Sequence, residues 1–313
     1  MEVNEAGSTT DHTAVSSLTA NDGGGSKRSG AQRDGDRLDR VLASVRALGV
    51  PGLVVAGFVF IALFPGALTP WDVNECILGR SLETPTWQHP FGFDLFGCDY
   101  WTRTLYGART SMLIGGAVLA GSMAIATFLG AIAGWSGGIV DTVITRSTDA
   151  IFAIPIILSA LVVFGLTEER TIWQVIGVLT MFAWPPMVRL VRGAVQERVG
   201  YQHVEAARAM GASSAYVLRR HVIPHSLRPM LVFAMPYMAT IVSLEAVLSF
   251  IGAGLQLPAV SWGLMLARLG SQLRVSLRFA EAPHLILPGF VLSLLIWALV
   301  RSGERLRNVR VPK

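Results

Sequence analysis

Six long intervals without a single Asp, Glu, Lys or Arg constrain this chain more than any other feature. They run over 47–71, 110–140, 150–167, 171–188, 229–244 (continuing past the lone Glu245) and 282–300. An α-helix rises about 1.5 Å per residue, so each interval is near or above the roughly 20 residues needed to cross ~30 Å of hydrocarbon. One such run fits a buried core helix of a soluble protein; six hardly do. The chain is 52% hydrophobic and 15% charged, against the ~25% charge of a typical soluble domain, so lipid is the solvent its surface suits. The fold class that follows is all-α, a polytopic membrane protein with six transmembrane helices. The intervals 150–167 and 171–188 are parted only by Glu168, Glu169 and Arg170, which predicts a tight helical hairpin.

Residues 1–40 differ sharply. They are mostly Gly, Ser, Thr, Asp and Arg, with almost no large apolar side chain, and such a stretch cannot offset its own ordering entropy. It reads as a disordered tail, too long and too polar for a signal peptide, so the first span is expected to stay as an anchor. The membrane domain is then 41–313. Most of the 26 Lys and Arg residues fall in the N-terminal tail, around 189–228, and after Val300. The positive-inside rule places those segments and both termini in the cytoplasm, and loop 70–109 outside a plasma membrane. This asymmetry accounts for the net charge of +5 without a nucleic-acid partner. A tail that binds RNA or lipid headgroups is the competing reading.

The cytoplasmic segment 193–228 holds VEAARAMGASSAYVLRRHVIPH (204–225), which reads as two helices with a break. VEAARAM is a good helix former, and Gly211 suits the left-handed position that ends a helix. Ser213 or Ser214 can cap the next turn, AYVLRRHVI, which is expected to stop at Pro224. A short helix held crosswise at a membrane face, exposing Tyr216, Val217 and Arg220, has the shape of a docking element. A solvated connector is the plainer reading of such a loop.

The residues favour docking. Glu205-Ala206-Ala207, three residues, Gly211 and then Ile223-Pro224 resemble the EAA loop of permease subunits in binding-protein-dependent ABC importers. His221 stands where the general motif has Ile, Ile223 replaces Leu, and RHVIPH looks like the RHILPN variant of peptide permeases with His225 in place of Asn. HPFGFDLFGCDYWTRTLYGART (89–110), GGIVDTVITRSTDAIFAIP (137–155) and LSFIGAGLQLPAVSWG (248–263) resemble further segments of the C-type subunit of dipeptide and oligopeptide importers. The resemblance covers roughly 72–310. It implies a type I ABC importer permease fold, with a coupling helix seated in a cleft of a separate ATPase subunit. Glu205, Ala206, Ala207, Gly211, Ser213, Tyr216, Arg220 and Pro224 are then the ATPase-coupling residues. The implied partners are a second, B-type permease, two ATPase subunits, an external peptide-binding lipoprotein, the peptide itself and membrane lipid. ATP and Mg belong to the partner subunits, and this chain binds no cofactor. Importers for nickel chelates or glutathione use similar permeases. A membrane enzyme or secondary transporter is a more distant alternative, which predicts catalytic clusters or charges in several spans.

Only Glu245 meets that last criterion. A carboxylate near the bilayer centre costs on the order of 3 kcal/mol on insertion scales. It either lines the translocation path or hydrogen-bonds between helices, or else it lies near the outer interface and snorkels. Gly115, Gly116, Gly130 and Gly134 suit close helix approach, and Arg146 is spaced to pair with Asp149 on one helix. The six His show no metal-ligand spacing, no GxxxxGK[ST] cradle exists, and no GxSxG sits in a plausible setting. The only two cysteines, Cys76 and Cys98, share the external loop, where an oxidising environment favours a disulfide. Two unrelated small apolar residues are the alternative, since spacing alone cannot bring the sulfurs together.

Overall fold

The computed structural model describes residues 49–167, 170–275 and 286–309, apart from the side chains of 203, 271–275 and 309. The tail expected over 1–40 lies outside these residues. Among them the architecture is helical, with no β-strand. The first helix, α1, spans Gly49–Leu63. It is followed by α2 (Tyr100–Ser136), α3 (Gly138–Ala153), α4 (Ile156–Gly165), α5 (Ile172–Ala183) and α6 (Pro185–Val199). Then come α7 (Gln202–Ala209), α8 (Ser214–Val217), α9 (Ile223–Phe250), α10 (Trp262–Val275) and α11 (Leu287–Val309).

Among the described residues, three helices are long and apolar enough to cross a membrane: α2, the continuous stretch Ser214–Phe250, and α11. The count reaches five if two bent pairs are each one span, α3 with α4 at 76° and α5 with α6 at 46°. The described part of α1 is a shorter apolar helix. Two of the candidate spans are thus bent, and proline is the reason. Pro155 has no N–H to give and pushes Ile154 into extended backbone (ψ 122°), so α3 ends there. Pro185 and Pro186 likewise open a new helix at α6.

Helix α2 begins at Tyr100, ten residues before the charge-free interval, so 100–109 is helix rather than external loop. Arg103 and Arg109 keep that stretch out of the charge-free interval. In the fold Asp99 is the N-cap, accepting from the Thr102 N–H at 2.7 Å, and Arg103 is buried against Asp94 at 3.2 Å. A charge neutralised inside the protein does not stop a helix.

The core forms around α2, which packs on α5, α6 and α9. Gly130 and Gly134 set the α2–α6 approach: a Cβ on Gly134 would lie 2.7 Å from the Arg192 carbonyl, and one on Gly130 would lie 3.0 Å from that of Val188. Gly115 similarly meets Val242, whereas Gly116 faces open space and does no such work. Trp262 is fully buried, donates from its indole N–H to the Thr104 carbonyl at 2.9 Å, and lies beneath Gly107. The predicted hairpin is present, with Phe164 of α4 and Val175 and Leu179 of α5 in one buried cluster.

Candidate functional site

The segment that joins α6 to α9 is built as a rigid bracket. Helix α7 carries Glu205 in its first turn, where a carboxylate suits the positive end of the helix dipole. Val204 and Ala207 are buried on the cluster that contains Val191, Val195, Val217, Val222 and Met230, while Glu205 and Ala206 are exposed. The helix closes in a Schellman turn: Gly211 sits at φ +83°, the Ala212 N–H donates to the Ala207 carbonyl at 3.1 Å, and the Gly211 N–H donates to that of Arg208 at 2.9 Å. Ser213 then caps α8, its Oγ accepting from the Tyr216 N–H at 3.4 Å.

Helix α8 does not end at Pro224. It runs through a π-helical turn, Leu218–Val222, into α9. The Ile223 N–H reaches back to the Leu218 carbonyl, so the wider turn comes just before the proline and leaves its missing donor at the first turn of α9. Val217, expected outside, is fully buried; Tyr216, Arg220 and Pro224 are exposed, as is Met210 at 82%. The face presented to solvent thus combines a carboxylate, a thioether, a phenol ring and guanidinium groups. Such a face offers both charge and apolar contact to a docking protein.

One cross-helix contact ties this bracket to the bundle, and two more hold α6, which leads into it. Arg208 lies over the Trp135 ring at 4.3 Å, near the end of α2. Arg192 forms a two-pronged pair with Asp141, one arm at 2.6 Å. Arg189 pairs with Asp149 at 2.7 Å and lies over Phe152. Asp149 therefore pairs across helices rather than with Arg146 on its own helix, because the α3–α6 packing brings Arg189 within reach. Where the chain turns into α7, Tyr201 donates to Glu197 at 2.7 Å, which makes the phenol proton harder to remove than in water.

Glu245 lies in the bundle with only 1% of its surface exposed, so it does not snorkel. Ser249 donates to its Oε1 at 2.9 Å and Ser111 to its Oε2 at 3.3 Å, and Ser261 also bonds to it. All three serines are fully buried. The carboxylate joins α2, α9 and the start of α10, and it faces the interior of this chain rather than an open surface.

At the other end, Cys76 and Cys98 form a disulfide with a Cα–Cα distance of 4.1 Å. The bridge clamps a loop whose motif residues hold one another. His89 bonds Asp99 at 2.5 Å and lies between the tilted rings of Trp71 and Phe93. Asp94 accepts from the N–H groups of Phe96 and Cys98 at 2.9 Å and from Arg103. The sequence pointed to this stretch only as a resemblance; its paired His, Asp and Arg residues were the physical signal.

Comparison with known proteins agrees with this geometry. Residues 126–308 match the family described as the binding-protein-dependent transport system inner membrane component. The chain belongs to this family. Family membership makes it a multi-pass membrane subunit of a transport system rather than an enzyme. The dipeptide transport system permease protein of Alkalihalophilus pseudofirmus is 32% identical over 269 residues, 85% of this chain and 86% of that one. The glutathione transport system permease protein of Pectobacterium atrosepticum is 35% identical over 265 residues, 84% and 85% of the two chains. Among solved structures, inward-facing conformations of the MetNI methionine ABC transporter superpose with a TM-score of 0.52 at 20% identity. They cover 67% of this chain and 97% of that one, a likeness of fold.

Proposed function

We propose that this chain is the C-type translocation subunit of an ATP-driven importer that carries peptides into the cell. The observation that carries the coupling role is the bracket Gln202–Pro224. It is anchored on its buried side by Val204, Ala207 and Val217, ordered by a left-handed glycine, and exposes Glu205, Tyr216 and Arg220. In this reading it seats in a separate ATPase subunit on the cytoplasmic side, with both termini on that side and the disulfide-closed loop outside. A second, B-type permease completes the pathway, and an external binding lipoprotein delivers the peptide. ATP and Mg stay with the ATPases. Closure of the ATPases pulls on the bracket, and the bundle turns from inward-facing to outward-facing.

Peptide is favoured as the cargo by the dipeptide permease relative. The glutathione permease relative supports a narrower second reading, in which the cargo is a γ-linked tripeptide. The test is reconstitution of the whole complex in proteoliposomes, with uptake of radiolabelled dipeptides and of glutathione measured side by side. Dipeptide uptake dependent on ATP and on the binding protein supports the first reading. Glutathione uptake alone supports the second, and uptake of neither refutes both.

A further inference from the structure

The end of the bundle that carries the disulfide-closed loop also holds a cleft of about 690 Å³, within the range of ~300–1,000 Å³ common for small-ligand sites. Its walls come from four separated stretches: the external loop (Asn74), the outer part of α2 (Tyr106, Thr110), the α4–α5 connection (Arg170) and the α9–α10 connection (Gln256, Pro258). Among the described residues of that lining, Arg170 is the cationic side chain and none is a carboxylate. Its guanidinium is held in place: Nη1 donates to the Gly252 carbonyl at 2.6 Å, and the group lies 6.0 Å from the centre of the Phe164 ring. Its Nε is buried and has no acceptor among the described residues. The neighbouring helix end does not compete for a ligand, because Thr171 and Gln174 close a capping box over the first turn of α5.

A preorganised guanidinium in a concave site lined with amide and hydroxyl groups matches the planar two-oxygen geometry of a carboxylate. We propose that this cleft is an entry subsite for the free C-terminal carboxylate of the transported peptide, with Arg170 as its anchor. The proposal rests on the peptide reading above and adds to it a ligand group and a residue. A single guanidinium ringed by neutral amide and hydroxyl groups suits the one carboxylate of a small peptide, and an acidic side chain of the external binding protein is the alternative that the test separates.

The test uses the whole complex in proteoliposomes, with saturating binding protein. Uptake of alanyl-alanine and of alanyl-alanine amide is measured for wild type, Arg170→Gln and Arg170→Lys. The variant-to-wild-type ratio for each peptide cancels the binding protein's own preference. Loss of a charge-assisted bond is expected to lower free-acid uptake about tenfold or more in Arg170→Gln, with a smaller loss in Arg170→Lys. Amide uptake is expected to stay within about twofold. Equal loss for both peptides would mean a structural tie or a docking contact, and no loss would mean no role; either overturns the proposal. A second readout covers failed assembly and failed transport. Gln256→Cys, in a chain whose own cysteines are bridged, is labelled with an impermeant maleimide in the presence of acetyl-glycine or acetyl-glycinamide. Protection by the acid alone supports carboxylate recognition even if no dipeptide is carried, whereas equal protection or none overturns it. Absence of dipeptide uptake in wild type refutes the peptide reading separately.

Discussion

Replacing Gly211 isolates a purely backbone effect. The residue sits at φ +83°, and a Cβ built there would meet no heavy atom within 4 Å. Steric exclusion therefore contributes nothing, and the cost is that of a left-handed conformation, roughly 1–2 kcal/mol for an ordinary L-residue. Asn bears less of it than Ala, and a β-branched Val bears more. If the turn relaxes, the two Schellman hydrogen bonds open and the Ser213 cap no longer aims α8. A bias of that size changes the population of the docking geometry by a factor of about 5–30. Peptide-stimulated ATP hydrolysis by the reconstituted complex is expected to fall by a similar factor in Gly211→Ala, more in Gly211→Val and least in Gly211→Asn. The amount of subunit in the membrane should not change. Gly134→Ala is the contrasting control. Its Cβ would sit 2.7 Å from the Arg192 carbonyl and 2.8 Å from the Val195 Cβ, so α2 and α6 must part and folded protein is lost before coupling is. Normal coupling in Gly211→Ala would refute the backbone argument.

Three further outcomes are expected. Glu245→Ala strands three buried serine hydroxyls and is expected to destabilise the detergent-solubilised subunit by roughly 2–4 kcal/mol, with Glu245→Gln sparing part of the loss; thermal unfolding that matches wild type would count against the cluster. The Cys76–Cys98 bridge closes a loop of 22 residues, so Cys98→Ser is expected to lower the stability of that loop by up to about 3 kcal/mol. Thiol labelling of the denatured, unreduced wild type should find no reactive cysteine, and two labelled residues would disprove the bridge. In the proposed orientation, Trp87→Cys is expected to react with an impermeant reagent on intact cells while Tyr216→Cys does not, and the reverse pattern would invert the topology.

The membrane class was legible in the sequence because charge is so costly in hydrocarbon that its absence marks the spans. The same signal misplaced their ends. It left 100–109 in a loop, since a sequence does not show that Asp94 neutralises Arg103 and that Asp99 caps a helix. The sequence showed Pro155 and Pro185 interrupting helices near 150–167 and 171–188, but not how sharply. Proline in a membrane helix is common, and only the packing decides whether it bends the span by a few degrees or by 76°. Gly211 was legible because a left-handed glycine is a local requirement, met within the α7–α8 turn itself.

Contacts between distant residues left no such local mark. Trp135 and Arg208 meet at one end of α2; at the other, Asp94 meets Arg103 and His89 meets Asp99. The helix between them has 37 residues, so the two ends stand about 55 Å apart. Each end is fixed by side chains whose charge made them look like surface. In the proposed mechanism this helix is the rigid member between the ATPase-facing bracket and the outer cleft, where Tyr106 and Thr110 form part of the wall. A helix that carries displacement over that length needs firm attachment at both ends more than it needs a special residue in the middle. That is why the middle of α2 reads as small and apolar, with Gly115, Gly130 and Gly134 drawing α9 and α6 close, while its identifiable residues lie at its ends.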